Sequence, residues 1–355
     1  MPIYPALKYT LAVIAYCLCI GFSLKATLAQ ETPDNNGAVV IMYHRFDENK
    51  YPTTNTSLET LQAHIKELKS GPYNVLPLTD IADAIANNLP LPDRTIGISV
   101  DDAFLSFYKN AWPEFKKANL PVTIFTSTAP VEQNLPDYMT WSQLREISAD
   151  ELITIGNHAH QHTHIINQDS KAQTLAIDKA NQLFRRALGK QPNLFAYPYG
   201  EISQQLSNIL RAKGFKAAFG QNSGAISRQN NLMHLPRFPF NDRFGTPDRF
   251  KLAVNSLPLP VSAILPEDLM LNSSTNPPPF GFTISKDIKT RGDGTYRGLN
   301  CYSSQNDLSL LQLGAGRVEV RISGPYKPGR ARINCTMLGP EGRWRWFGQQ
   351  YYIPE

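Results

Sequence analysis

Short apolar runs alternate with helical patterns from residue 38 to about residue 255, and this alternation limits the possible folds more than any other feature. Residues 38–43 are continuously apolar, which is typical of a strand buried on both faces. Residues 95–100 and 122–125 follow as further buried strands, and residues 170–188 form a long helical pattern. The alternation predicts an α/β fold whose parallel strands are joined by right-handed crossovers.

Polar side chains recur at the points where the predicted strands end. The carboxyl ends of the strands in a parallel barrel share one face, which is where active sites form. We therefore expect these polar side chains to meet at one face of the fold. They are His44, Asp101, Asp102, His158, His162 and Tyr199.

Four of the seven histidines lie between His158 and His164. His158 and His162 are four residues apart, as are His160 and His164, and on a helical turn either pair would place both rings on one side. A solvated polar loop is the alternative, but so close a cluster favours a metal site. The spacing alone does not choose between the two pairs.

Asp101 and Asp102 are adjacent acids at the end of an apolar strand, where burial without a positive partner is costly. A helix cap would explain one of them. The second indicates a division of roles, in which one carboxylate binds a metal and the other stays free as a base.

Three motifs, in order along the chain, resemble those of the polysaccharide deacetylases, the NodB-like domains of carbohydrate esterase family four. They are residues 99–102 (Ser-Val-Asp-Asp), residues 156–162 (Gly-Asn-His, then His) and residues 195–200 (Phe-Ala-Tyr-Pro-Tyr-Gly). Tyr43-His44 is similar to the permuted members, poly-N-acetylglucosamine deacetylases among them. The resemblance covers residues 37–255.

This resemblance implies a distorted (β/α) barrel and metal-dependent hydrolysis of N-acetyl groups on amino-sugar polymers. By motif position, Asp102, His158 and His162 would hold the metal, leaving positions open for water and the substrate carbonyl. Zn²⁺ is the expected metal, with Co²⁺ or Ni²⁺ as alternatives.

The resemblance also implies the catalytic roles. Asp101 would take the proton from the attacking water, and the backbone N–H of Tyr199 would stabilise the oxyanion. His44 would protonate the leaving amine. His234, in a Leu-x-His sequence, is the competing acid, but His44 is favoured because it follows a clear buried strand.

Two positions depart from the family pattern. Ala159 stands where the family has Ser or Thr to brace the metal loop, and Ala196 stands where it has an arginine that orients the base. We hypothesise that Arg237 replaces that arginine, since a free Asp101 beside a metal needs a fixed partner. An ordinary surface pairing of Arg237 is the alternative.

The N-terminal segment predicts export. Lys8 precedes an apolar run of residues 9–23, and small residues then lead to Ala29, after which we expect signal cleavage. A membrane anchor is the alternative, but spanning a bilayer takes about 20 residues. We therefore expect a periplasmic or secreted protein with no stable membrane span after cleavage. Cys301 and Cys335 then remain and are expected to form a disulfide.

Residues 1–29 are thus predicted to be a signal peptide, residues 37–255 a deacetylase barrel, and residues 256–275 a linker. Residues 276–355 are predicted to form a small all-β domain, because their strand patterns alternate. The net charge of +5 does not indicate a nucleic-acid partner. The last 80 residues hold 11 basic and 6 acidic side chains, so we expect any attraction to an acidic polymer there and not at the metal site.

The expected function is metal-dependent removal of N-acetyl groups from an N-acetylglucosamine-containing polysaccharide. An esterase that removes O-acetyl groups would use the same site. A degenerate carbohydrate-binding protein is suggested by Ala159 and Ala196, but the intact Asp102, His158 and His162 argue against it.

Overall fold

A computed structural model describes residues 1–2 and 37–355 of the chain. The predicted signal peptide, residues 1–29, lies outside the described residues except for its first two. No helix in the described ranges is both long enough and apolar enough to cross a membrane.

Eighteen strands and eight α-helices make up the described part of the chain. The strands are β1 (Ala38–Tyr43), β2 (Arg45–Phe46), β3 (Asn55–Thr56), β4 (Asn74–Val75), β5 (Thr95–Asp101), β6 (Val122–Thr126), β7 (Ile153–Asn157), β8 (Leu194–Ala196), β9 (Ala217–Phe219), β10 (Phe238–Pro239), β11 (Leu257–Pro258), β12 (Val261–Leu265), β13 (Phe280–Ile284), β14 (Asn300–Ser303), β15 (Leu308–Gln312), β16 (Arg317–Ile322), β17 (Gly329–Leu338) and β18 (Trp344–Ile353). The helices are α1 (Leu58–Ser70), α2 (Leu78–Ala86), α3 (Trp112–Lys117), α4 (Thr128–Glu132), α5 (Trp141–Ser148), α6 (Ser170–Leu188), α7 (Gln204–Ala212) and α8 (Pro247–Val254).

A parallel sheet in the order β10-β1-β5-β6-β7-β8-β9, with β4 also paired to β5, forms the centre of the fold. The segment around Arg237 connects its two edges. Leu235 pairs with Phe219 of β9, and three residues later Phe238 pairs with Ile41 of β1. The sheet therefore curls into a distorted (β/α) barrel, which confirms the predicted fold class.

Helix boundaries follow local capping chemistry. The side chain of Asp169 accepts a hydrogen bond from the backbone N–H of Ala172 at the start of α6. The same helix ends at Gly189, whose φ of 76° is readily adopted only by a residue without a Cβ. Thr140 and Gln143 form a reciprocal capping box at α5. These signals fix the lengths of the crossovers that place the strand ends.

Two strands of the central parallel sheet, β9 and β10, were not predicted. They contain three and two residues, so neither is long enough to show an alternating or continuously apolar pattern. Their pairing is imposed by the neighbouring strands, and that long-range constraint is not visible locally.

Two four-stranded sheets form the C-terminal region, in the orders β11-β18-β17-β14 and β12-β13-β16-β15. The predicted disulfide between Cys301 and Cys335 is present and joins directly opposite residues of β14 and β17. Strands β11 and β12 lie within residues 256–275, so that segment carries regular structure. The domain boundaries at residues 256 and 276 stay predictions.

The barrel and the C-terminal sheets share a hydrophobic core. A single cluster of buried side chains contains Tyr197 of the barrel together with Ile333 of β17 and Tyr351 of β18. Continuous apolar burial of this kind fixes the position of the C-terminal sheets against the barrel.

His64 of α1 is a buried structural histidine that does not belong to the metal-ligand group. Its Nδ1 lies 2.8 Å from the Tyr43 hydroxyl, its Nε2 lies 2.7 Å from the Gly245 carbonyl, and its ring stacks on Phe250 at 3.9 Å. The ring therefore donates one hydrogen bond and accepts the other, as a neutral imidazole does. Burial lowers the pKa of His64 from 6.5 to about 4.

This depressed pKa predicts a loss of stability in acid. Between about pH 6.5 and about pH 4 the unfolded chain binds a proton that folded His64 does not, so the free energy of unfolding falls as the pH falls, by up to about 3 kcal/mol from this group. Urea titrations at about pH 7 and about pH 4.5 should show a smaller difference in His64→Gln than in the wild type. An equal difference in the two proteins would contradict this assignment.

Candidate metal centre and active site

The polar residues predicted at strand ends lie at one end of the barrel. His44 follows β1, Asp101 is the last residue of β5 and His158 follows β7. Tyr199 lies in a turn, three residues after the end of β8. Parallel pairing of these strands brings residues distant in sequence to the same face.

Asp102, His158 and His162 converge. Their ligand atoms all lie within 4.8 Å of one another. Asp102 Oδ1 is 3.5 Å from His158 Nε2 and 3.4 Å from His162 Nε2. Two imidazoles and one carboxylate, with further coordination positions open to solvent, are the donor set of a catalytic zinc site.

The chemistry of this group fits a divalent cation. His158 Nδ1 lies 2.7 Å from the Ala196 carbonyl, so it carries the ring proton and leaves the Nε2 lone pair facing Asp102. Burial lowers the pKa of His158 to about 4, which keeps the ring neutral. Asp102 Oδ1 and His158 Nε2 are both buried and have no hydrogen-bond partner among the described residues. Two buried acceptor atoms that face each other without a proton between them are costly, and a bound cation would satisfy both of them.

The metal loop is held without a helical turn, so its histidines converge without the helical geometry that their spacing would allow. Asn157 Oδ1 accepts the N–H of Ala159 at 2.7 Å, and Ser127 Oγ donates to the His158 carbonyl at 2.8 Å. Ala159 has a φ of 65° and is fully buried. Asn157 and Ser127 therefore stabilise the loop, in place of the hydroxyl side chain that the family has at position 159.

The second pair of histidines lies apart from the metal group. His160 Nδ1 is 2.9 Å from Thr128 Oγ1. His164 is 2.9 Å from a carboxylate oxygen of Glu201 and stacks on the ring of Tyr199 at 4.5 Å. The alternative left open by the spacing, a site on His160 and His164, is wrong.

Asp101 and Arg237 form a fully buried ion pair beside the metal group. Arg237 donates through Nη1 and Nη2 to the two oxygens of Asp101, at 2.6 and 2.8 Å. Its Nε donates to the Gly220 carbonyl at 2.9 Å. Burial acts to raise the pKa of Asp101, but the charge and hydrogen bonds of Arg237 outweigh it and lower the pKa to about 2. The alternative of a surface pairing for Arg237 is wrong.

Of the two candidate acids, only His44 faces this group. His44 Nε2 lies 4.0 Å from Asp101 Oδ2 and lines the same cleft as Asp102 and His162. His234 lines different cavities, beside Asn231 and Gln349. Burial lowers the pKa of His234 to about 4, and its Nε2 has no hydrogen-bond partner in the described part of the chain.

Comparisons with known proteins match this part of the chain. A family model described as polysaccharide deacetylase matches residues 88–218. A poly-beta-1,6-N-acetyl-D-glucosamine N-deacetylase of Staphylococcus aureus is 24% identical over 233 residues, which cover 58% of this chain and 80% of the relative. The protein of the same name from Escherichia coli O157:H7 is 22% identical over 255 residues, 60% of this chain and 38% of the relative.

Solved structures of deacetylases share the fold. Streptococcus pyogenes deacetylase PplD in complex with acetate has a TM-score of 0.57 at 20% identity, over 61% of this chain and 98% of that one. IcaB from Ammonifex degensii has a TM-score of 0.55 at 22% identity, over 61% of this chain and 97% of that one. The chain contains a polysaccharide deacetylase domain. The resemblance carried by the three sequence motifs is confirmed.

The C-terminal sheets complete the cleft of the deacetylase domain. Gln350 of β18 donates through Nε2 to the carbonyls of Tyr199 and Gly200, each at 2.9 Å, and so fixes the turn after β8. Tyr199 has a φ of 59°, and its ring lies 4.4 Å from the ring of His162. Sequence reasoning missed Gln350, because no local pattern links a strand residue to a turn about 150 residues earlier.

Arginines from outside the deacetylase motifs also line this cleft, which has a volume of about 700 Å³. They are Arg249, Arg330 and Arg332. The expectation that the C-terminal charge lies away from the metal site is wrong, because β17 carries two of these arginines to the cleft wall.

Removal of a metal ligand should weaken metal binding by the deacetylase domain. We expect His162→Ala to weaken the affinity for Zn²⁺ by more than about tenfold, because it removes one of three protein ligands. His160→Ala, in the same loop, is the matched control and should bind like the wild type. Elemental analysis of the purified proteins, followed by calorimetric titration with Zn²⁺, measures both. Equal metal loss in the two variants would contradict the assignment.

Proposed function

We propose that this chain is an exported, metal-dependent enzyme that removes N-acetyl groups from an N-acetylglucosamine-containing polysaccharide. The observation that carries the proposal is the metal-ligand group of Asp102, His158 and His162 beside an arginine-held carboxylate. Relatives named poly-beta-1,6-N-acetyl-D-glucosamine N-deacetylases support the substrate class.

Asp102, His158 and His162 would hold the cation, with Zn²⁺ expected and Co²⁺ or Ni²⁺ able to use the same ligands. When bound, such a cation polarises an amide carbonyl and lowers the pKa of water. The hydrogen bond from His158 Nδ1 to the Ala196 carbonyl would hold that ring in the ligating tautomer.

Asp101 would act as the base. Its low pKa keeps it ionised at neutral pH, so it can accept a proton from a water attacking the amide carbon. Arg237 holds both oxygens of Asp101 and would orient them, a positioning role that the bidentate guanidinium geometry suits.

Tyr199 and His44 would act on two different atoms of the reacting amide, the carbonyl oxygen and the departing nitrogen. The backbone N–H of Tyr199, in the turn fixed by Gln350, would donate to the oxyanion. His44, which lies in the cleft 4.0 Å from Asp101, would donate a proton to the departing amine.

Export of the protein is supported by two features. Residues 1–29 have the charged, apolar and small-residue regions of a cleavable signal. The disulfide between Cys301 and Cys335 is typical of proteins in an oxidising compartment.

A panel of acetylated substrates tests the proposed function. Metal-loaded protein is incubated with β-1,6- and β-1,4-linked N-acetylglucosamine oligomers, peptidoglycan fragments and acetylated xylan, and acetate and free amine are both measured. The proposal requires equal amounts of acetate and amine from at least one amino-sugar polymer. Acetate from xylan alone would identify an O-acetyl esterase, and binding without acetate release would identify a non-catalytic carbohydrate-binding protein.

The proposed acid predicts a clear difference between two histidine variants. We expect His44→Ala to lower kcat/KM for an N-acetylglucosamine oligomer by about 10²–10⁴-fold, since general acid catalysis typically contributes that much. His234→Ala should retain wild-type kcat/KM, because His234 lines other cavities. Steady-state acetate release measures both variants. Loss of activity in His234→Ala with full activity in His44→Ala would reverse the assignment.

A further inference from the structure

The outward face of β17 carries two arginines toward the active-site cleft. Side chains alternate along this strand, so Ala331 and Ile333 are buried in the core while Arg330 and Arg332 lie on the other face. Both arginines line the cleft that also contains Asp102 and His162. The C-terminal sheet therefore contributes positive charge to the wall of the deacetylase site.

Direct contacts join these arginines to the catalytic turn. Arg332 Nε donates to Gln350 Oε1 at 2.8 Å, and Gln350 holds the carbonyl of Tyr199. The guanidinium carbon of Arg330 lies 5.3 Å from the centre of the Tyr199 ring, which in turn packs against His162. A group bound by Arg330 and Arg332 would thus lie close to the metal ligands.

A third arginine lines the cleft from α8. Arg249 Nη1 donates to the Phe244 carbonyl at 2.9 Å, and its guanidinium carbon lies 5.3 Å from the ring centre of Phe240. These contacts fix the side chain, and no carboxylate of residues 37–355 forms an ion pair with it.

The charges in the cleft are unbalanced. Within the described ranges, neither Arg249 nor Arg332 has a carboxylate oxygen within 4.0 Å, and Arg330 has only Glu201 at 3.9 Å. Glu201 is itself paired with His164 at 2.9 Å. The one acid among the described lining residues is Asp102, which belongs to the metal group.

Unpaired and partly buried cations are costly, and these lie close together. Burial lowers the pKa of Arg249, and burial together with the neighbouring charge of Arg330 lowers the pKa of Arg332. A neutral N-acetylglucosamine polymer offers no charge to relieve this cost, and its deacetylated product carries ammonium groups that the arginines would repel. An anionic group on the substrate would pair with these arginines and reduce the cost of burying their charges.

We propose that Arg249, Arg330 and Arg332 form a subsite for an anionic group carried by the N-acetylated glycan, a carboxylate or a phosphate. Guanidinium groups bind both anions through paired N–H donors. The preferred substrate is then an acidic polysaccharide and not a neutral homopolymer. This inference rests on the proposed function, because the anion is placed relative to the deacetylation site.

Matched substrates test the charge directly. One arm uses an oligosaccharide of N-acetylglucosamine and N-acetylmuramic acid, compared with the same compound as its neutral methyl ester. The other arm uses an N-acetylglucosamine oligomer with and without a 6-phosphate. The ratio of kcat/KM for the anionic and neutral members of each pair is measured, and calorimetric binding of the same compounds to the metal-loaded protein provides a readout independent of turnover.

The wild type should prefer one anionic member by about tenfold or more, mainly through KM, as expected for a charge-assisted hydrogen bond. Arg332→Gln and Arg330→Gln should each reduce that ratio by about tenfold, and Arg332→Lys should restore part of it. Arg321→Gln, at an exposed position on β16, is the matched control and should keep the wild-type ratio. The arm that shows the preference identifies carboxylate or phosphate.

A wild-type ratio near one in both arms, or ratios that Arg332→Gln and Arg330→Gln leave unchanged, would overturn the subsite. If no compound releases acetate but the anionic compounds bind in an arginine-dependent way, the subsite stands and the proposed deacetylation fails. If binding of the anionic compounds is also unchanged in the arginine variants, the proposed subsite is wrong as well.

Discussion

Arg237 crosses the interior of the barrel from the Gly220 carbonyl at the end of β9 to the carboxylate of Asp101 at the end of β5. Its own segment joins the two edges of the sheet, through Leu235 on one side and Phe238 on the other. A buried cation in this position needs a buried anion, and a buried Asp101 needs this cation. Closure of the barrel and ionisation of the proposed base therefore depend on the same contact.

The metal group and the C-terminal sheets are arranged around this pair. Asp102 follows Asp101 directly and has a φ of 75°. This backbone conformation turns the chain, so that the carboxylate of Asp101 meets Arg237 while that of Asp102 faces the metal-ligating histidines. Gln350 fixes the turn that contains Tyr199 from the opposite side. The sheets that lie beyond the matched family region thus form part of the cleft, and the sheet face that supports the turn through Gln350 also carries Arg332.

Much of the site could be predicted because its residues follow strands with clear apolar patterns. Asp101, Asp102 and His158 are visible in the sequence as polar exceptions at strand ends. The arginine that the family pattern lacks at Ala196, together with the need of a free Asp101 for a fixed partner, suggested Arg237. The choice among the four clustered histidines required the motif resemblance, since His158–His162 and His160–His164 have equal spacing. The arginines of the cleft could not be predicted, because strand alternation does not tell which distant surface a strand face will cover.

A double-mutant cycle on the Asp101–Arg237 pair tests the central claim, that Arg237 acts on catalysis through Asp101. Acetate release from one N-acetylglucosamine oligomer is measured for Asp101→Asn, Arg237→Ala and the double variant, each with its metal content determined. If Arg237 only positions the base, the double variant should be as slow as Asp101→Asn alone, and all three should retain metal. Rate losses that multiply in the double variant would contradict the account.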